Sequence, residues 1–144
     1  MSTHLNRSWS VLCLNVRGLN AARKWDSVRN KVTDANCEIA CFQETKKDSF
    51  DSSFLRKICP PTLDSYDFLP SNGASGGILV TWKGSLFASN RISSCSYALS
   101  MEFCSSHDNS KWALTCIYGP CTTEGKGLFL NWFKNFQMLL ILIG

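Results

Sequence analysis

The chain has 144 residues, of which 44% are hydrophobic and 18% are charged. This balance excludes an intrinsically disordered protein, and a chain of this length buries roughly 68 to 70% of its unfolded surface, which is enough for the core of one domain or part of one. The formal net charge of +4 permits a polyanionic partner but is too small to require one.

Cysteines are numerous, but their spacing does not predict a zinc site. The sequence has eight cysteines, no C-x-x-C pair, and only His4 and His107 as histidines. No apolar segment typical of a secretory signal begins the sequence, so we expect reduced thiols in an intracellular protein of the nucleus or the cytoplasm. The apolar residues 138–144 are too few to cross a bilayer, which takes about 20. We expect neither a membrane association nor an obligate protein partner.

The first predicted elements are a strand, a helix and a second strand. The apolar run 9–14 ends at Asn15, and the four apolar residues 39–42 are typical of a strand covered on both faces. Between them, residues 23–35 are predicted to form an amphipathic helix from the helical spacing of Trp25, Val28, Val32 and Ala35. A right-handed connection of this kind lays two strands parallel. We therefore expect Asn15 and Glu44 to lie at the same edge of a sheet.

Glu44 follows the second strand directly and is the strongest candidate for a chemical role. Parallel strands commonly carry functional groups at their carboxyl ends. The alternative is that Glu44 is only the first solvated residue after a strand, which is the usual environment of a glutamate. Asn15 favours the functional interpretation because it predicts a second polar group at the same edge.

The middle of the chain is predicted to contain one short helix and two extended segments. Phe54, Leu55 and Ile58 indicate one or two helical turns, which the prolines at 60 and 61 end. Residues 68–70 are extended and lead into the glycine-rich turn 73–77. A strand is predicted at 78–82, and the glycines of the turn are expected to allow a tight bend and a close backbone approach.

The last third of the chain is predicted to begin with an antiparallel meander. Three β-type runs alternate with polar turns, at 86–94, 97–104 and 112–118. An apolar face at helical spacing then predicts a helix over 123–140. Residues 138–144 are predicted to begin a buried strand.

Two short patterns suggest catalytic sites that their context does not favour. Residues 73–77 match G-x-S-x-G, but a serine hydrolase elbow requires a helix afterwards, and a strand is predicted there. His107 and Asp108 are adjacent within the predicted hairpin tip 106–109. A base and its orienting partner cannot align in that arrangement, so turn chemistry is favoured.

Four motifs together suggest a family. In chain order they are LNVRGLN at 14–20, CFQETK at 41–46, GASGGILV at 73–80 and IYGP at 117–120. In this order and spacing they resemble the endonuclease/exonuclease/phosphatase family, and most of all the endonuclease domain of plant LINE-type (non-LTR) retrotransposons. The resemblance implies an α+β fold, a two-sheet sandwich flanked by helices of the DNase I-like type. It implies an N-terminal tail at 1–8 and a partial, truncated domain at 9–144.

The same resemblance implies the chemistry and the site. Members of the family cleave phosphate esters with a metal ion, so Mg²⁺ is the expected cofactor and nucleic acid, with DNA favoured, the expected partner. By resemblance Glu44 would bind Mg²⁺, Asn15 would orient the phosphate or an active-site partner, and Tyr118 would position the phosphate. Arg17 and Lys46 would contact nucleic acid. An equally good alternative for Tyr118 is a half-buried strand tyrosine.

The second half of the family's site has no counterpart in the sequence. The family continues with a glycine-aspartate-phenylalanine-asparagine motif and a late histidine and aspartate, whereas after Tyr118 the sequence has neither aspartate nor histidine. We therefore expect a truncated Mg²⁺-dependent endonuclease domain of retrotransposon origin with impaired catalysis. The alternatives are a non-catalytic nucleic-acid-binding remnant and a functionless relic.

Overall fold

The protein folds as two β-sheets packed face to face, with two α-helices on the outer face of the first sheet. The computed structural model describes residues 9–73, 76–95 and 98–118. The α+β sandwich expected from the sequence is confirmed. The predicted tail 1–8, the predicted helix 123–140 and the predicted strand at 138–144 lie outside the described residues.

The first sheet has four strands in the order β1-β2-β4-β3. Its strands are β1 Val11–Asn15, β2 Ile39–Gln43, β3 Ser65–Leu69 and β4 Ile78–Trp82. β1 and β2 are parallel, as predicted, whereas β4 is antiparallel to both β2 and β3. All five residues of β4 are buried, because β4 lies inside the sheet and both of its faces are covered.

Two helices cover the outer face of this sheet. A 3₁₀ turn, Ala22–Lys24, leads into α1 Trp25–Ala35, and α2 Ser52–Ile58 starts at Asp51, whose side chain accepts a hydrogen bond from the Phe54 amide at 2.7 Å. The helices and the sheet share a core that includes Val28, Val32, Leu55, Ile58 and Phe42. The prediction that Ala35 belongs to the apolar face of α1 is wrong. Ala35 is the exposed last residue of α1, and the chain turns away at Asn36, whose φ is 48°.

The second sheet is the predicted antiparallel meander, in the order β5-β6-β7. Its strands are β5 Phe87–Cys95, β6 Ala98–Ser105 and β7 Lys111–Ile117. The β6–β7 connection is a local turn, in which the Ser105 hydroxyl accepts from the His107 amide and Asp108 accepts from the Ser110 amide. His107 and Asp108 therefore have the turn environment that the sequence favoured.

The two sheets enclose a second core. It contains aromatic and aliphatic side chains from both sheets, including Ile39, Val80, Trp82, Phe103 and Leu114. One ion pair also connects the sheets, because Arg91 on β5 binds Asp67 on β3 through two nitrogens, at 2.8 and 3.0 Å. Asp67 raises the pKa of the Arg91 guanidinium further above its ordinary value. The packed core and this ion pair therefore join β3 of the first sheet to β5 of the second.

Candidate active site at the carboxyl ends of β1 and β2

The carboxyl ends of β1 and β2 place Asn15 and Glu44 at one edge of the sandwich. The parallel register pairs Asn15 with Gln43, the residue before Glu44. Pairing continues into the loops, where the Gly18 amide donates to the Glu44 carbonyl at 2.8 Å and the Leu19 amide donates to the Thr45 carbonyl at 2.9 Å. The loop after β1 therefore lies directly against the loop after β2.

The backbone at this edge has an unusual conformation. Arg17, Glu44 and Lys46 have positive φ angles of 52°, 59° and 57°. Side chains with a Cβ seldom adopt this left-handed region, which costs about 1 kcal/mol or more per residue. Such residues concentrate at functional sites, where the surrounding structure holds them in place. Here the surrounding structure consists of the hydrogen bonds between the loops.

The glycine-rich turn before β4 approaches the same loop. The carbonyls of Gly76 and Gly77 accept hydrogen bonds from the amides of Lys46 and Thr45, at 2.8 and 3.1 Å. A Cβ at Gly77 would collide with the Thr45 hydroxyl and would lie 3.3 Å from the Lys46 nitrogen. The predicted close backbone approach is therefore confirmed. The strand β4 follows this turn, whereas a serine hydrolase elbow is followed by a helix. The turn is therefore not such an elbow.

Tyr118 reaches this end of the molecule from the second sheet. It directly follows β7, and its residue surface is only 7% exposed. A Cβ on Gly76 would lie 3.6 Å from the Tyr118 ring. In addition, the Gln43 side-chain nitrogen donates to the Ile117 carbonyl at 3.1 Å, which ties the end of β7 to the end of β2. Asn15, Glu44 and Tyr118 are thus assembled at one end of the sandwich.

The two predicted nucleic-acid contacts, Arg17 and Lys46, also lie here. Arg17 is exposed, and its amide donates to the Asn15 side-chain oxygen at 3.2 Å. Lys46 lines a cleft of about 290 Å³ together with Asn20, Lys47, Asp48, Ser71 and Gly73. The neighbouring Lys47 ammonium lies 4.3 Å from the Phe54 ring centroid, so it also stabilises the loop by a cation–π contact.

Three residues support this edge in ways that the sequence did not reveal. The Lys24 ammonium donates to the carbonyls of residues 16, 17 and 18, at 3.2, 2.7 and 3.4 Å. Thr45 is completely buried against Gly77, and Gln43 bridges the sheets. Only the proximity of Gln43 and Thr45 to Glu44 in the CFQETK motif could have drawn attention to them. No local pattern distinguishes Lys24 from the other cations of its segment.

The donor groups present fit part of a Mg²⁺ site. Glu44 is partly exposed, and no side chain of the described ranges binds its carboxylate. Mg²⁺ commonly takes one or two carboxylates and completes its shell with water and phosphate oxygens. Within residues 9–73, 76–95 and 98–118, no three His, Cys, Asp or Glu side chains are grouped to hold a metal. Glu44 is therefore suited to be a single protein ligand of a Mg²⁺ ion whose other positions are taken by water and phosphate oxygens.

Neither α-helix in the described part of the chain is long and apolar enough to cross a membrane.

No family model and no curated protein matches the sequence. Among solved structures, the fold is similar to the crystal structure of the AP endonuclease LMAP from Leishmania major, with a TM-score of 0.59 and 20% sequence identity. The match covers 90% of this chain but only 45% of that chain, so this chain spans less than half of the neighbour's length. The protein therefore has a DNase I-like fold, of which it contains a part.

Proposed function

We propose that the chain is a truncated, catalytically impaired Mg²⁺-dependent endonuclease domain that originates from a LINE-type retrotransposon. The observation that carries this proposal is the assembly of Asn15, Glu44 and Tyr118 at one end of a DNase I-like sandwich. The four ordered motifs support the retrotransposon origin. The AP endonuclease neighbour supports a nucleic-acid substrate, and DNA is the substrate we propose.

Each of these residues has a proposed role toward a phosphodiester. Glu44 would hold Mg²⁺, which when bound would neutralise charge on the phosphoryl oxygens. The Asn15 amide, positioned by the Arg17 backbone, would orient the phosphate or an active-site partner. Tyr118 would border the phosphate from the second sheet. Arg17 and Lys46 would add positive charge for the flanking backbone.

Impaired catalysis is proposed because no residue of the described ranges at this edge is assigned as the base. Phosphodiester hydrolysis needs a group that takes the proton of the attacking water. Glu44 is assigned to the metal, and in the sequence after Tyr118 the only carboxylate side chain is that of Glu124. No histidine follows Tyr118. We therefore propose that the residues described at this edge hold a phosphate, and none of them is assigned to activate the attacking water.

Nicking of supercoiled plasmid with Mg²⁺ tests the impairment. We expect the 144-residue chain to convert no more plasmid than a protein-free control. Glu44→Gln removes the proposed ligand, and Glu38→Gln is its matched control at the opposite end of β2, where Glu38 accepts from the Ser10 amide at 2.7 Å. Cleavage that Glu44→Gln abolishes and Glu38→Gln preserves would show a complete nuclease and overturn the impairment.

The retrotransposon origin has its own test in the genome. We expect the DNA beyond the Gly144 codon, or a sister copy of the locus, to encode the glycine-aspartate-phenylalanine-asparagine motif in the same frame. Flanking sequence related to a LINE reverse transcriptase would support the origin further. A locus without either feature would contradict it.

A second candidate is a non-catalytic nucleic-acid-binding remnant, and the lysine-lined cleft beside Asn20 favours it. Binding to a fluorescent DNA duplex at about 50 mM salt should weaken steeply as salt rises, because each phosphate contact releases counterions. Arg17→Ala and Lys46→Ala should each reduce the salt slope by about one. Arg23→Ala, a change of another exposed cation, is the matched control. Absence of binding at low salt would exclude this candidate.

A further inference from the structure

The outer edge of β1 has no neighbouring strand among the residues that the structure describes. β1 is the first strand in the order β1-β2-β4-β3, so it is paired only on its β2 side. On that side, the Ser10 carbonyl accepts from the Ile39 amide at 3.3 Å, and the Val16 amide donates to the Gln43 carbonyl at 3.0 Å. Every second residue of a strand directs its backbone groups to the same side. The amides and carbonyls of residues 11, 13 and 15 therefore point outward.

β1 is also the least protected of the four sheet edges in the described ranges. Proteins commonly protect an exposed edge with charged residues, proline or a bulge. At β3, Arg91 binds the Phe68 carbonyl at 2.8 Å in addition to Asp67. The register of β5 is irregular after Arg91, and β7 begins with Lys111. β1, with the sequence VLCLN and a continuous register, has none of these features, so its edge can accept another extended chain.

A cleft beside this edge provides apolar surface and positive charge. The cleft has a volume of about 190 Å³ and lies between the end of β1 and α1. Its apolar lining comes from Leu14, Val16 and Val28, and the cations Lys24 and Lys31 also line it. Lys31 is exposed, and none of the described residues that line the cleft is an aspartate or a glutamate. The cleft is therefore electrostatically complementary to an acidic chain.

The two faces of β1 indicate where the side chains of an added strand would lie. Leu12 and Leu14 pack against the core beneath the helices, whereas Val11 packs against the core between the sheets. Side chains alternate between the two faces of a sheet along each strand. One set of side chains of an added strand would therefore face the cleft and Lys31, and the other set would continue the inter-sheet face beside Val11.

We propose that the outer edge of β1 is a docking site for an extended acidic segment of a partner protein, which adds to the first sheet as a further strand. In this mode of recognition, main-chain hydrogen bonds provide affinity and alternate side chains provide specificity. The phosphate backbone of DNA fits the edge less well, because it has no donor for the outward carbonyls of residues 11, 13 and 15. The inference concerns only this edge and does not depend on the proposed nuclease origin.

Fluorescence anisotropy on the full chain tests the site with a labelled peptide of about seven residues that alternates glutamate and valine. We expect this peptide to bind, and the same peptide with lysine in place of glutamate not to bind. Lys31→Glu replaces attraction by repulsion and should weaken binding about tenfold. Lys111→Glu, which changes an exposed cation on the second sheet, is the matched control and should have no effect. Absence of binding, or equal losses in both variants, would overturn the proposal.

Blocking the backbone separates strand addition from simple charge attraction. Cys13→Pro removes an outward amide and leaves the bonds to β2, so it should abolish binding while circular dichroism stays unchanged. Two further peptides, N-methylated at either the glutamates or the valines, test the wild-type chain and decide the question if Cys13→Pro does not fold. Because a strand presents only one edge to β1, only one of the two should lose binding. Binding that survives every block would overturn the proposal.

Hydrogen exchange shows whether the peptide lies at the edge. In the free chain we expect fast exchange at the amides of residues 11, 13 and 15, and saturating peptide should slow it at least about tenfold. The amides of residues 12 and 14, which face β2, are the internal reference. Slow exchange of the outward amides in the free chain would show that another segment of the chain covers the edge, or a second copy if it depends on protein concentration. Either result would overturn the proposal, as would equal protection by duplex DNA.

Discussion

The candidate site and the β6–β7 tip both present polar residues at the ends of strands. The hydrogen bonds that hold the two regions differ in how far apart in sequence the bonded residues are. At the tip, Asn109 also has a positive φ of 62°, yet the bonds that close the turn between residues 105 and 110 join residues within five positions of each other, and the longer bonds of the tip run from Ser106 to residues 85 and 86. At the candidate site, the loops after β1 and β2 and the turn before β4 bond to one another across gaps of more than 25 residues.

This difference separates a turn from a candidate site. The turn between residues 105 and 110 is closed by bonds among its own residues, so its side chains need not converge on a common point. The site loops bond to one another and to the Lys24 ammonium, which brings the side chains of Asn15 and Glu44 to the same edge and holds Glu44 at a φ of 59°. Positive φ alone is therefore a weak indicator, whereas positive φ maintained by long-range bonds indicates a site.

The largest expected effect comes from Gly77. Gly77→Ala would place a Cβ against the Thr45 hydroxyl at a φ of 95°, so we expect a loss of about 3 kcal/mol of unfolding free energy. Gly73→Ala is the matched control. It also has a positive φ, but no atom of the described residues lies within 4 Å of the position that its Cβ would take, so about 1 kcal/mol is expected. Urea unfolding measures both, and equal losses would contradict the close approach.

A smaller effect is expected at Lys24. Lys24→Met keeps the aliphatic stem but removes the ammonium from three carbonyls, at an expected cost of about 2 kcal/mol. Arg23→Met, next to it on the surface, should change stability by less than about 0.5 kcal/mol. Hydrogen exchange should be faster in Lys24→Met at the amides of Gly18 and Leu19. Unchanged exchange there would show that Lys24 does not support the loop.

Gln43 should have a moderate effect. Gln43→Met preserves the length of the side chain but cannot donate to the Ile117 carbonyl, and we expect a loss of about 1 kcal/mol. Gln43→Asn, which shortens the reach while keeping the amide, should lose a similar amount. Chemical denaturation is the measurement. Full stability in both variants would mean that the two sheets do not depend on this bridge.

The smallest effect is expected at the tip. His107→Ala removes an exposed side chain whose backbone, rather than its ring, makes the turn contact. We expect a change within about 0.5 kcal/mol and unaltered binding to duplex DNA. A large loss of DNA binding in His107→Ala would remove the distinction between the tip and the candidate site.

The sequence predicted best where burial alone decides the structure. β2 and β4 were recognisable as continuous apolar runs, and α1 by its helical spacing, because each pattern reports how many faces of an element are covered. The prediction failed at Ala35, since the same spacing cannot show where a helix loses contact with its sheet. Lys24 was not recognised because its three carbonyl partners depend on the path of a loop.

By itself, the sequence determined the alternation of elements, the parallel pairing of β1 with β2 and hence the shared edge of Asn15 and Glu44. These follow from hydrophobic periodicity and from the handedness of strand–helix–strand connections. Only the tertiary structure decided which groups surround that edge. The approach of Gly76 to Tyr118 and the Gln43 bridge both join residues far apart in sequence, and such contacts exist only once the two sheets have packed.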